Sequence, residues 1–111
     1  HLFCFFIFFL DGQVLLKQRQ PSITRRQTYT ARIECIVEGI LDFGSANIHW
    51  YRHTPSKGPE RILYIGSDQT FYEESSYKNK YVSSKTDTNS CTFSVFNVNS
   101  NDEGTYYCAY W

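Results

Sequence analysis

The strongest constraint on this chain comes from four residues, Cys35, Trp50, Tyr106 and Cys108, that all fall within segments alternating with a period of two. Successive side chains of a β-strand point to opposite faces, so such alternation marks a strand with one buried and one wet side. In TARIECIVE, Ala31, Ile33, Cys35 and Val37 share one face, while Arg32, Glu34 and Glu38 share the other; Ile36 is the exception. In ANIHWYRH, Ile48 and Trp50 oppose Asn47, His49, Tyr51 and His53. That second set is polar and aromatic rather than charged, an unusual composition for a face turned to water. CTFSVFNV sets Cys91, Phe93 and Val95 against Thr92, Ser94 and Phe96, and TYYCAY sets Tyr106 and Cys108 against Tyr107 and Ala109. Polar corners carrying Gly, Pro or Asn separate these runs: EGILDFGS, TPSKGPE and NVNSNDEG. No stretch has helical periodicity of useful length. The pattern predicts an all-β sandwich or barrel.

At 111 residues the chain holds one domain at most. The 11 Lys and Arg balance the 11 Asp and Glu, so bulk charge recruits neither nucleic acid nor anionic membrane. Residues 1–12, HLFCFFIFFLDG, differ from the rest. Their apolar run is too short for a membrane span of about 20 residues and fits a secretory h-region of roughly 7–15. A Phe-rich peptide is equally what a pyrimidine-rich intron end encodes when translated. Whether leader remnant or intron-derived, residues 1–12 are set outside the fold, leaving residues 13–111 as the domain.

Cys4 lies in that first run, and no C-x-x-C pair exists, which argues against a zinc ribbon or a thioredoxin-type site. A long-range disulfide in an oxidising compartment is the natural alternative. Trp50 lies on an inward face between Cys35 and Cys108, and Asp102, Gly104, Tyr106 and Cys108 form D-x-G-x-Y-x-C. Together with IHWYRH, GPERILYI, KYVSSKTDTNSCTFSVFNV and NDEGTYYCAYW, these residues resemble an immunoglobulin variable (V-set) domain, and within that class a T-cell receptor gamma-chain variable segment.

The resemblance implies a V-type Greek-key sandwich, with two extra strands between Trp50 and Lys80. It implies a Cys35–Cys108 disulfide with Trp50 packed over it, worth about 4 kcal/mol in the chain-entropy model. Tyr106 would bond its hydroxyl back to nearby backbone, and Asp102 would pair with Lys80 at the base. Ligand-binding loops map to residues 40–47, with Leu41, Asp42, Phe43, Gly44 and Ser45; to residues 66–70, with Ser67, Asp68 and Gln69; and to a third loop begun by Tyr110 and Trp111. Phe43 has two readings, an aromatic tucked into the core or a ligand contact. Tyr51, His53, Pro59, Arg61 and Tyr107 match the positions by which V domains pair, the expected partner being a delta-chain variable domain. A constant region, absent here, would connect the chain to a signalling complex at the cell surface. The ligand would be a protein or a lipid-presenting surface, with no cofactor. No Phe-Gly-x-Gly strand follows Cys108, so the domain is expected to lack its last strand, leaving the edge at residues 106–110 exposed.

Cys91 departs from the family pattern. Its inward parity favours a buried free thiol; an intermolecular disulfide is the other reading. In NSC, Cys91 stands where the ordinary glycosylation triplet has Ser or Thr, so no glycan is expected on Asn89. Nothing organises catalysis: G-x-S-x-G and H-E-x-x-H are absent, and His49 and His53 share a face without a third metal ligand. Two alternatives to the receptor reading stay open. One is a non-rearranging V-set receptor or adhesion domain, the other an unexpressed pseudogene segment.

Overall fold

The computed structural model describes residues 29–86 and 88–110 in full and, within residues 1–28, the backbone of four strands. Those four are β1 (Leu2–Cys4), β2 (Phe8–Asp11), β3 (Val14–Gln18) and β4 (Ser22–Thr24). The remaining strands are β5 (Ala31–Glu38), β6 (Ile48–Thr54), β7 (Gly58–Ile65), β8 (Thr70–Tyr72), β9 (Tyr81–Lys85), β10 (Ser90–Val95) and β11 (Gly104–Ala109). Short 3-10 turns occupy Phe43–Ser45, Ser75–Asn79 and Ser100–Asp102.

The strands form two sheets. The front sheet runs β4-β1-β11-β6-β7-β8 and the back sheet β2-β3-β5-β10-β9. All described pairings are antiparallel except β1 with β11. The chain crosses between sheets after β1, β3, β4, β5, β8 and β10, and it is these crossings that make it a sandwich. β7 and β8 supply the two additional V-type strands.

Alternation decides which faces meet. In β5, Ala31, Ile33, Cys35 and Val37 are buried; the first three oppose Val95, Phe93 and Cys91 of β10, and Val37 opposes Leu16 of β3. Trp50 sits at the centre with no exposed surface, its indole stacked on Phe93 at 4.9 Å. Phe93 stacks in turn on Tyr81 and meets Tyr106 at 6.0 Å. The Cys35–Cys108 disulfide ties the two sheets beneath this cluster, with a Cα–Cα distance of 6.4 Å.

Two features depart from the sequence pattern. The apolar N-terminal run, set outside the fold on composition, supplies strand backbone to both sheets, through β1 and β2. β1 lies parallel to the start of β11, with Phe3 opposite Gly104 and Cys4 opposite Thr105. The first residues of β11 are therefore not an open edge, because an extended neighbour takes up their hydrogen-bonding groups. The second feature is a bulge. Trp50 opposes Leu63, yet Tyr51 opposes Arg61, so Ile62 is an extra residue in β7. Simple alternation would put Arg61 on the same face as Leu63. The bulge buries Ile62 and brings Arg61 out beside Tyr51.

Candidate functional site

The end of the sandwich opposite the loops is held by a closed polar network. Asp102, nearly fully buried, accepts from Lys80 Nζ at 2.7 Å and from the Asn99 backbone N–H at 2.9 Å. Its backbone carbonyl accepts the Tyr106 hydroxyl at 2.7 Å. Lys80 Nζ also donates to the carbonyl of Asn97, a residue held at φ 52°. Arg52, which sequence reasoning passed over, donates to the carbonyls of Asn101 and Glu103 and lies over the Tyr106 ring. Gly104 follows at once; a Cβ there would come within 3.1 Å of the His53 carbonyl oxygen, so this approach of β11 to β6 needs glycine. The network fixes where β11 starts and hence the register of the front sheet.

That register brings the five sequence-predicted pairing residues together. Tyr107, Tyr51 and Arg61 stand in one row across β11, β6 and β7, and Thr105, His53 and Pro59 stand in the next. Tyr51 and Tyr107 stack at 5.5 Å with planes 11° apart. His53 and Pro59 are exposed, Tyr51 and Arg61 partly so, and Tyr107 is mostly covered. A third row, Ala109, His49 and Tyr64, continues toward the loops. Here Arg61 Nη1 donates to His49 Nδ1 at 3.2 Å, since a guanidinium has no acceptor; the imidazole is therefore neutral, with its proton on Nε2. Burial, assisted by the Arg61 charge, pulls the His49 pKa from 6.5 down to about 4. Arg61 also pairs with Glu73 at 2.6 Å and lies over the rings of Tyr64 and Phe71.

At the loop end the first segment folds around Phe43, which is buried and belongs to the core. Of its two readings the structural one holds. Lys85, another residue that sequence reasoning missed, donates to the carbonyls of Phe43, Gly44 and Ala46 at 2.9, 3.0 and 2.6 Å, with its ammonium over the Phe43 ring. Ser45 Oγ donates to Asp42 Oδ2 at 2.7 Å, and Leu41 projects fully exposed at the tip. The second segment is a tight turn closed by Gly66 N–H to the Gln69 carbonyl, leaving Ser67, Asp68 and Gln69 exposed. It meets the first across a cleft of about 460 Å3 that includes Ser45, Asn47 and Phe71. Tyr110, half-buried, lines a cleft of about 820 Å3 with Leu41, His49, Arg61 and Tyr64. Trp111 lies outside the described residues.

Cys91 is a free thiol, fully buried, opposite Cys35 in the β5–β10 ladder and 3.3 Å from Ser83 Oγ. Burial raises its pKa, with Ser83 and Trp50 opposing. Among the described residues, no group of three or more His, Cys, Asp or Glu side chains is placed to hold a metal, and no helix is long and apolar enough to cross a membrane.

A two-sheet sandwich with a buried tryptophan on the inter-sheet disulfide, a tyrosine corner and two extra strands defines an immunoglobulin V-set domain. The family model described as Immunoglobulin V-set domain matches residues 18–111. A T-cell receptor gamma chain V region of Mus musculus is 34% identical over 110 residues, spanning 97% of this chain and 90% of that protein. T cell receptor gamma variable 2 of Homo sapiens is 32% identical over 99 residues, spanning 86% and 80%. The chain belongs to the immunoglobulin V-set family and, within it, to the T-cell receptor gamma variable regions. It is thus an antigen-receptor variable domain.

Proposed function

We propose that the chain recognises ligand as the gamma-type half of a two-chain receptor at the cell surface. Its front face pairs with a second V domain, of delta type. A constant region carried elsewhere on the receptor chain connects the pair to signalling subunits. Leu41, Asp42, Gly44 and Ser45, with Ser67, Asp68, Gln69, Tyr110 and Trp111, form this chain's share of the ligand surface, which meets a protein or a lipid-presenting protein. Phe43 serves from beneath as support.

The observation that carries this reading is the pair of rows on the front face. Stacked tyrosines, a proline and an arginine stand together on one outward sheet face. Tyr and Arg are the residue types that concentrate binding energy when an interface covers them. The test is co-expression of the full receptor chain with a delta chain. Tyr51→Asp is expected to abolish surface display of the pair while leaving the single chain able to form its disulfide. Arg32→Glu, on the back sheet, is the matched control. Unimpaired pairing of the Tyr51→Asp chain would sink the proposal.

A further inference from the structure

We propose that Asn89 is an N-glycosylation site, used through the triplet Asn89-Ser90-Cys91 with a free thiol in place of the ordinary hydroxyl. Asparagine occurs at positions 47, 79, 89, 97, 99 and 101, and Asn89 alone has Ser, Thr or Cys two residues on. In the ordinary triplet the hydroxyl of the third residue assists recognition by hydrogen bonding. A thiol is a weaker donor of the same kind. It can serve only while it is not in a disulfide, and here Cys35 takes Cys108 and leaves Cys91 free. The same conclusion revises the expectation, drawn from sequence alone, that Asn89 stays bare.

The folded chain accommodates the product. Asn89 is exposed in the turn between β9 and β10. Its backbone carbonyl accepts from Val37 N–H at 2.8 Å, and the Ser90 hydroxyl donates to Glu34 across the outer face of the back sheet. A glycan on the side chain therefore leaves the surface without breaking either contact. Cys91 is fully covered after folding, so transfer takes place on the extended chain before the sandwich closes. The Asn89 carboxamide nitrogen forms a bond to the anomeric carbon of a lipid-pyrophosphate oligosaccharide. The bond from that carbon to the pyrophosphate oxygen breaks, the lipid pyrophosphate leaves, and the amide proton passes to the transferase. A disulfide between Cys91 and its ladder neighbour Cys35 would withdraw the thiol and block the step.

The position has a consequence for recognition. Thr88, next to Asn89, lines a cleft of about 410 Å3 with Leu41, Gly44 and Ser67. A glycan here flanks the first two loops and limits approach of a large ligand from the back-sheet side. The inference rests on the reading above in one respect, passage through the secretory pathway.

The experiment expresses the full receptor chain with its partner in mammalian cells and takes the total intracellular pool, so that poor folding of a variant hides nothing. Peptide-N-glycosidase in heavy-oxygen water then marks each glycosylated asparagine as labelled aspartate for mass spectrometry. Partial labelling at residue 89 is expected, absent in Asn89→Gln and Cys91→Ala and several-fold higher in Cys91→Thr. A bare wild-type Asn89 beside a labelled Cys91→Thr variant would overturn the thiol-based acceptor. Bare residues in both would overturn the proposal as well, and surface staining of the same cells tells the cause. Stained cells mean the turn is not an acceptor; unstained cells mean the cell-surface reading itself has failed.

Discussion

The two outer faces of this sandwich share one pleat and differ in chemistry. On the back sheet the outward residues are Arg32, Glu34, Glu38, Thr92 and Ser94, and they satisfy one another locally: Arg32 Nε donates to Ser94 and Ser90 to Glu34. On the front sheet the same positions carry Tyr51, Tyr107, His49 and Tyr64, packed ring against ring, with a histidine kept neutral by burial beside an arginine. A charged face is well served by water. Stacked rings leave apolar surface that only another surface covers well. The difference shows that period-two alternation reports which side of a strand is buried in the domain, while the residue types on the other side report what that side is for.

The comparison can be broken or sharpened, starting with the largest effect. Trp50→Ala removes the element under both faces. It should cost about 3–5 kcal/mol in urea unfolding and erase the distinction between them. Lys80→Met leaves the buried Asp102 carboxylate without its cation, which should cost about 3 kcal/mol and loosen the start of β11. Front-face pairing should weaken with it, whereas hydrogen-exchange protection at β5–β10 changes less. Tyr51→Ala, at the partly exposed member of the stacked pair, should take about 2 kcal/mol from pairing, roughly 30-fold in dissociation constant, and much less from the stability of the domain alone. An equal loss in both would make the front tyrosines core residues and not interface.

Proton linkage sharpens the contrast further. The folded pKa of His49 is depressed to about 4 from 6.5, so the unfolded chain takes up a proton over that interval and the folded chain does not. The His49 contribution is whole above pH 6.5 and declines as the pH falls toward 4. The urea midpoint of the wild type should fall across that window, and His49→Gln should flatten the slope. The smallest effect belongs to the back face. Arg32→Gln should change stability by no more than about 0.5 kcal/mol and leave pairing untouched.

The sandwich was legible because its core is written in alternation, and Cys35, Trp50, Tyr106 and Cys108 all sit in phase. Arg61 was not legible from phase. The bulge at Ile62 inverts it, and a bulge is a matter of how β7 lies on β6, which no local pattern records. Lys85 escaped for a related reason: its three acceptors lie far away in the chain, and a lysine at the end of a strand reads as solvent-facing. Phe43 stood undecided between core and ligand because one aromatic in a loop has no period to place it. The third row of the front face, with His49 neutral beside Arg61, required the register of three strands at once.

The hold of Lys85 on the first loop bears on how that loop could bind. A flexible loop gives up backbone freedom when it closes on a ligand, at about 1–2 kcal/mol per residue ordered. Here one ammonium gathers three carbonyls and the Phe43 ring anchors the same turn, so that freedom is surrendered when the domain folds. A partner touching Leu41 meets a preorganised tip and bears little of the ordering cost, and substitutions at the exposed tip can vary what is touched without loosening what holds it.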